Sequence, residues 1–197
     1  SRARELCTHY GVHLIADEIM TGFGRTGTMF ACEQAGIAPD LMLLSKGITG
    51  GFLPLACVLA SDAIYEAFYD DDTARGFLHS HSYTGNPLAC SAALAVLDIF
   101  RGDAVIEANR SRAARWDSLA APLAAHPKVR DFRRCGMIVA FEVSSGRTDF
   151  ARWCFAEGIA RGILLRPIGR TVYLMPPYVI TDDEFALLVD RTCEIVE

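Results

Sequence analysis

The stretch LMLLSKGITGGFLPL, residues 41–55, decides how this chain is read. It opens with a four-residue apolar run, sets a lone lysine, Lys46, directly after Ser45, and continues into a loop with three glycines. A short apolar run bounded by turn residues fits a strand buried on both faces. Lysine is ordinarily solvated, so its position at the end of such a strand needs a partner or a chemical reason.

Working outward, similar runs recur between helical patterns. VHLIA (12–16) ends at Asp17, and LACVLA (55–60) precedes SDAIYEAF, with Ser61 as its N-cap. This alternation predicts an α/β fold with a mostly parallel or mixed sheet covered on both faces. In HSHSYTGNPLACSAALAVLDIF, Asn86 caps a helix, Pro87 takes its first position, and the helix runs to about residue 100. RGDA (101–104) breaks it, and a second long helix is expected over 105–125. Beyond Pro127, GMIVAFEV reads as a strand, TDFARWCFAEGIARG as a helix, and ILLRP and TVYLMPP as two short strands. TDDEFALLVDRTCEIV is a helix that starts with Thr181 and Glu184 at capping-box spacing. The change in character places a domain boundary near Gly102, dividing the chain into 1–102 and 103–197.

With 197 residues, 51% of them hydrophobic, the chain can bury a core. No apolar run approaches the roughly 18 residues of a membrane span, and the start has no signal-peptide pattern. SRARELCTHYG begins in mid-helix with Gly11 placed to stop it, as expected of a piece of a longer protein. The net charge of −5 argues against a nucleic-acid partner, which would require a one-sided basic surface. The basic runs RSRAAR (110–115) and KVRDFRR (128–134) read as a solvated helix face and a strand edge. Seven cysteines without a C-x-x-C pair read as small thiols in a reducing compartment, with cytoplasm as the default. No metal is expected, and His79 and His81 read as loop histidines.

Asp17 and Lys46 end two inferred strands whose connection is long enough for a parallel crossover, so both emerge at one sheet edge. One reading is a surface salt bridge. The other uses both residues chemically. A desolvated lysine can act as an amine nucleophile, and an aspartate can hold a pyridine nitrogen protonated, which together suit pyridoxal 5′-phosphate (PLP). HSHSYTGN, ahead of the Pro87 helix, can supply phosphate donors. GFGRTG (22–27) matches the dinucleotide fingerprint G-x-G-x-x-G, but DEIMT separates it from its strand and no long helical pattern follows, which ranks a dinucleotide well below PLP.

At this point LIADEIMTGFGRTGTMFACEQAGIAPDLMLLSKGITGG resembles the signature of the class III aminotransferases of PLP fold type I. The resemblance extends over nearly the whole chain but only to the second half of the family's large domain and its C-terminal small domain. It implies that Lys46 is the Schiff-base lysine and proton shuttle, that Asp17 pairs with the pyridine nitrogen, and that Ile19 packs on the ring. It also implies that Ser82, where threonine is usual, reaches the phosphate of a neighbouring subunit's cofactor in a homodimer with shared active sites. Ser80 and His81 flank it near substrate and phosphate, Arg166 binds a substrate carboxylate, and Tyr173 lines that pocket. Met20 departs from the glutamine that many members carry near the ring hydroxyl. HSHSYTGNPLACSAALA and RPIGRTVYLMPPYVI look most like the branch that aminates 8-amino-7-oxononanoate from S-adenosylmethionine in biotin biosynthesis. The alternatives are an ω-amino acid–pyruvate type and a non-catalytic half-domain. The partners implied are a small-molecule amino donor and a keto acceptor.

Overall fold

The apolar run at 41–44 does form a strand, and the rest of the N-terminal unit is arranged about it. The structure is a computed structural model that describes all residues 1–197. Two compact units divide the chain, Ser1–Ile106 and Glu107–Glu197.

In the first unit, α1 (Arg2–Tyr10) leads into β1 (Ile15–Asp17), followed by β2 (Leu41–Leu44), β3 (Cys57–Ala60), α2 (Asp62–Glu66) and α3 (Pro87–Gly102). β1 and β2 are parallel with Asp17 opposite Leu43, whereas β2 and β3 are antiparallel with Leu41 opposite Ala60. The sheet of this chain is therefore mixed. Residues 45–56 hold only a 3₁₀ turn, Lys46–Thr49, and a parallel return needs a longer crossover. The first strand starts later than the apolar pattern suggested, because Leu14 is occupied in accepting from the amides of Asp40 and Leu41. GFGRTG opens no helix; turns follow it, then a 3₁₀ turn at Ala31–Ala35. Asp40, at the offset of a ribose-binding acid, accepts instead from Arg4 at 2.7 Å and from the Leu14 amide at 2.6 Å.

The second unit contains α4 (Val105–Leu119, entering from the first unit), α5 (Ala121–Ala124), β4 (Val129–Cys135), β5 (Ile138–Val143), α6 (Phe150–Ala160), β6 (Thr171–Leu174) and α7 (Asp182–Val196). The single helix expected over 105–125 is broken at Ala120, whose φ is −88° and ψ 0°. Pro122 lacks the N–H that a continuous helix would need there. β4, β5 and β6 form an antiparallel sheet in that order. Alternation buries Val139, Phe141 and Val143 on one face of β5, and Val172 and Leu174 on the matching face of β6. Trp116 and Phe185 stack over this core with ring centroids 3.9 Å apart.

ILLRP is not a strand. The Ile163 amide donates to Gly158 O at 2.9 Å, and a β-carbon at Gly158 would lie 3.0 Å from Ile163 O. The glycine thus lets this segment close on α6, away from the sheet, and only Ile168 bridges to Thr171. No helix is long and apolar enough to cross a membrane.

Candidate active site

Parallel pairing of β1 and β2 sends the residues that follow both strands out of the same edge of the sheet. Asp17 is the last residue of β1, and Lys46 comes two residues after β2 ends. This is the edge at which open α/β sheets bind ligands. No ion pair joins the two side chains, so the salt-bridge reading fails. The Ile19 amide donates to Asp17 Oδ1 at 3.1 Å, which orients the carboxylate and leaves Oδ2 without a partner. Lys46 is exposed. The burial that the sequence suggested for its amine is therefore not supplied by these residues.

The turn carrying Lys46 is tightly fastened. Ser45 Oγ donates to Leu55 O at 2.7 Å, and Thr49 Oγ1 donates to Leu53 O at 2.6 Å with Thr49 almost fully buried. Gly50 faces Val96 on α3. Lys46 itself has φ 48°, left-handed backbone that a non-glycine residue adopts at a cost of about 1–3 kcal/mol. Such strain persists only where the surroundings enforce it, and these hydrogen bonds do so.

Sequence reasoning gave Glu18 no role, yet it organises the turn after β1. Period-two alternation turns it to the opposite face from Asp17, where it is 3% exposed. Its amide donates to Leu43 O at 3.0 Å, its Oε1 accepts from the Cys32 amide at 2.8 Å, and its Oε2 accepts from Thr21 Oγ1. Burial pushes the carboxyl up, but donors from Thr21, Cys32 and Ala31 outweigh it and hold it below its usual value. Burial, with Glu18 beside it, pushes the Cys32 thiol up. The signal was available in the Asp-Glu pair at a strand end, one residue facing each way.

Ser80, His81 and Ser82 are exposed in the loop before α3. His81 Nδ1 accepts from the Tyr83 amide at 3.1 Å, which leaves Nε2 outside the hydrogen bonds of the turn. The His81 amide donates to Thr84 Oγ1 at 3.0 Å, and Asn86 Oδ1 caps α3 through the Leu88 amide. Pro87 lies roughly 14 Å along α3 from Val96, at 1.5 Å per residue. This chain therefore brings Asp17, Ile19 and Lys46 together at one edge, and no contact brings Ser80, His81 or Ser82 to them.

Arg166 follows Leu165, which is 1% exposed and anchors the segment; the guanidinium itself is exposed and unpaired. Tyr173 is half-buried in β6, opposite Ala140. The isolated Ile168–Thr171 bridge joins the end of the Arg166 segment to the start of β6. The second unit thus carries Arg166 before the Ile168–Thr171 bridge and Tyr173 after it.

An unpaired amine and a carboxylate with one free oxygen at a parallel-strand edge fit the aldehyde and pyridine nitrogen of PLP. At 46% identity over 200 residues the chain resembles adenosylmethionine-8-amino-7-oxononanoate aminotransferase of Helicobacter pylori, covering 98% of this chain and 45% of that protein. The enzyme of the same name from Nitratidesulfovibrio vulgaris is 45% identical, over 94% of this chain and 36% of its own length. The crystal structure of the Methanocaldococcus jannaschii enzyme of that name superposes with a TM-score of 0.88 at 37% identity, covering 98% of this chain and 47% of that one. The chain spans less than half the length of these relatives. The family described as Aminotransferase class-III matches residues 1–196, and with the lysine edge and the α/β architecture in agreement, the chain belongs to the class III aminotransferases.

Proposed function

We propose that the protein to which this chain belongs is a PLP-dependent transaminase that moves an amino group from S-adenosylmethionine to 8-amino-7-oxononanoate, giving 7,8-diaminononanoate for biotin. The observation that carries the reaction class is the strained, unpaired Lys46 beside Asp17 at the carboxyl edge of parallel strands. The substrates rest on the names of the relatives. Bound PLP supplies an electron sink that stabilises negative charge at the substrate carbon bearing nitrogen. With PLP bound, Asp17 Oδ2 would hold the pyridine N–H, Ile19 would pack on the ring, and Lys46 Nζ would anchor the cofactor and serve as the proton carrier. Arg166 binds the acceptor carboxylate and Tyr173 lines its path. Ser82, His81 Nε2 and the donors before α3 serve the phosphate of a partner subunit's site in a homodimer, with Ser80 beside the substrate. That division suits a loop set far along α3 from the lysine of its own chain. Residues 1–102 are the end of the cofactor domain and 103–197 the small domain of a cytoplasmic enzyme.

The test uses the full-length protein. Wild type shows visible cofactor absorbance that S-adenosylmethionine discharges, and Lys46→Ala loses both that absorbance and turnover. Absorbance and turnover surviving in Lys46→Ala overturn the reaction class. Discharge by alanine but not by S-adenosylmethionine moves the enzyme to the ω-amino acid–pyruvate type.

A further inference from the structure

We infer that Phe23 is a positioning residue for Lys46, its ring acting as a wedge that sets the direction in which the lysine leaves the sheet; this rests on the reading of Lys46 above. Phe23 lies in the turn after β1, 23 residues before the lysine in sequence, and is 3% exposed. Its φ is 58°, so it and Lys46 are both non-glycine residues in left-handed backbone. The two meet through Gly47. A β-carbon at Gly47 would lie 2.8 Å from both Cβ and Cδ2 of Phe23 and 2.9 Å from its Cγ. The space any other residue would fill next to the lysine is therefore taken by this ring.

The wedge is held from several directions. Phe30 meets the ring edge-on at 5.9 Å between centroids, and Phe100 of α3 lies at 6.1 Å. On the chain side, the Gly22 amide donates to Glu18 O at 3.0 Å, and a β-carbon at Gly22 would press within 2.8 Å of that oxygen. Glu18 is in turn tied to β2 through Leu43 O. A continuous set of contacts thus runs from the end of β1, through the Glu18 turn and Phe23, to the backbone of the lysine turn. A plain core aromatic needs none of these constraints on Gly47, since any apolar side chain of similar volume would satisfy the same neighbours.

The full-length holoenzyme decides it with Phe23→Leu, which keeps apolar bulk without the flat ring, and Gly47→Ala, which adds the methyl against an intact Phe23. Each is expected to lower kcat roughly 10- to 100-fold with little change in KM and to move the visible cofactor band, as misdirection of a reacting group does. The double variant Phe23→Gly/Gly47→Ala, which removes the Phe23 Cβ as well as the ring and so frees the space for the new methyl, is expected to recover part of the Gly47→Ala loss. Either single variant settles the matter if the other fails to fold. Variants that lower the melting temperature while keeping wild-type kcat per bound cofactor and a wild-type band would sink the inference and make Phe23 purely structural. That result, with Lys46→Ala still losing the band, leaves the lysine's own role standing. Survival of the band in Lys46→Ala overturns that role instead.

Discussion

Glu18 and Asp17 are adjacent carboxylates at one strand end, and alternation gives them opposite environments. Asp17 keeps an oxygen free, whereas Glu18 is saturated by donors. Replacing Glu18 by glutamine should destabilise the full-length protein at neutral pH by about 1.5–3 kcal/mol, the range for hydrogen bonds to a charged group. The sign of its pH dependence follows from its lowered folded value. Stabilisation is complete above the usual value of 4.5 and is lost as pH falls through the lower folded one. Melting curves should therefore show the gap between wild type and Glu18→Gln narrowing on acidification below that point. A gap that stays constant with pH would show that the carboxylate's charge is immaterial. Asp17 and Lys46 were legible in sequence because each stands within two residues of the end of an apolar run. Glu18's partners were not, because Cys32 comes from a turn that no periodicity announced.

At the level of elements, local chemistry is what made some boundaries readable. Thr181 Oγ1 accepts from the Glu184 amide at 3.2 Å and the Thr181 amide donates to Glu184 Oε2 at 2.8 Å, which is the capping box the sequence predicts for α7. Thr181→Ala should cost about 1 kcal/mol, measured as a shift in the denaturant midpoint, and a change confined to a few tenths would mean the cap is dispensable. Asn86 and Pro87 opened α3 for the same local reason. ILLRP misled because its apolar run satisfies a packing site against Gly158 and not a ladder. Such a choice depends on a helix surface that the five residues themselves cannot specify.

Across the molecule the two units are unequally buried. Every member of the continuous apolar core, from Ala113 to Val196, lies in Glu107–Glu197. In Ser1–Ile106 only Phe23, Cys32, Leu44, Ala89 and Ala93 are buried apolar residues, while Phe52 is 87% and Leu78 86% exposed. Residues 107–197 expressed alone should therefore unfold cooperatively in denaturant, and residues 1–106 alone should not. A broad, non-cooperative transition for 107–197 would count against the core being self-sufficient.

The sequence by itself determined the chemistry available: a lysine and an aspartate at the ends of apolar runs, an arginine after another, helix caps, and the α/β alternation. These are readable because they depend on neighbours within a few positions. Only the tertiary structure decided that β3 returns antiparallel, that Glu18 is saturated from a distant turn, and that the segment carrying Arg166 closes on α6 instead of forming a strand. It also decided what surrounds LMLLSKGITGGFLPL. Lys46 sits in left-handed backbone with a buried ring from another turn packed against Gly47 beside it, and side-chain contacts between segments so far apart in the chain leave no periodicity to read.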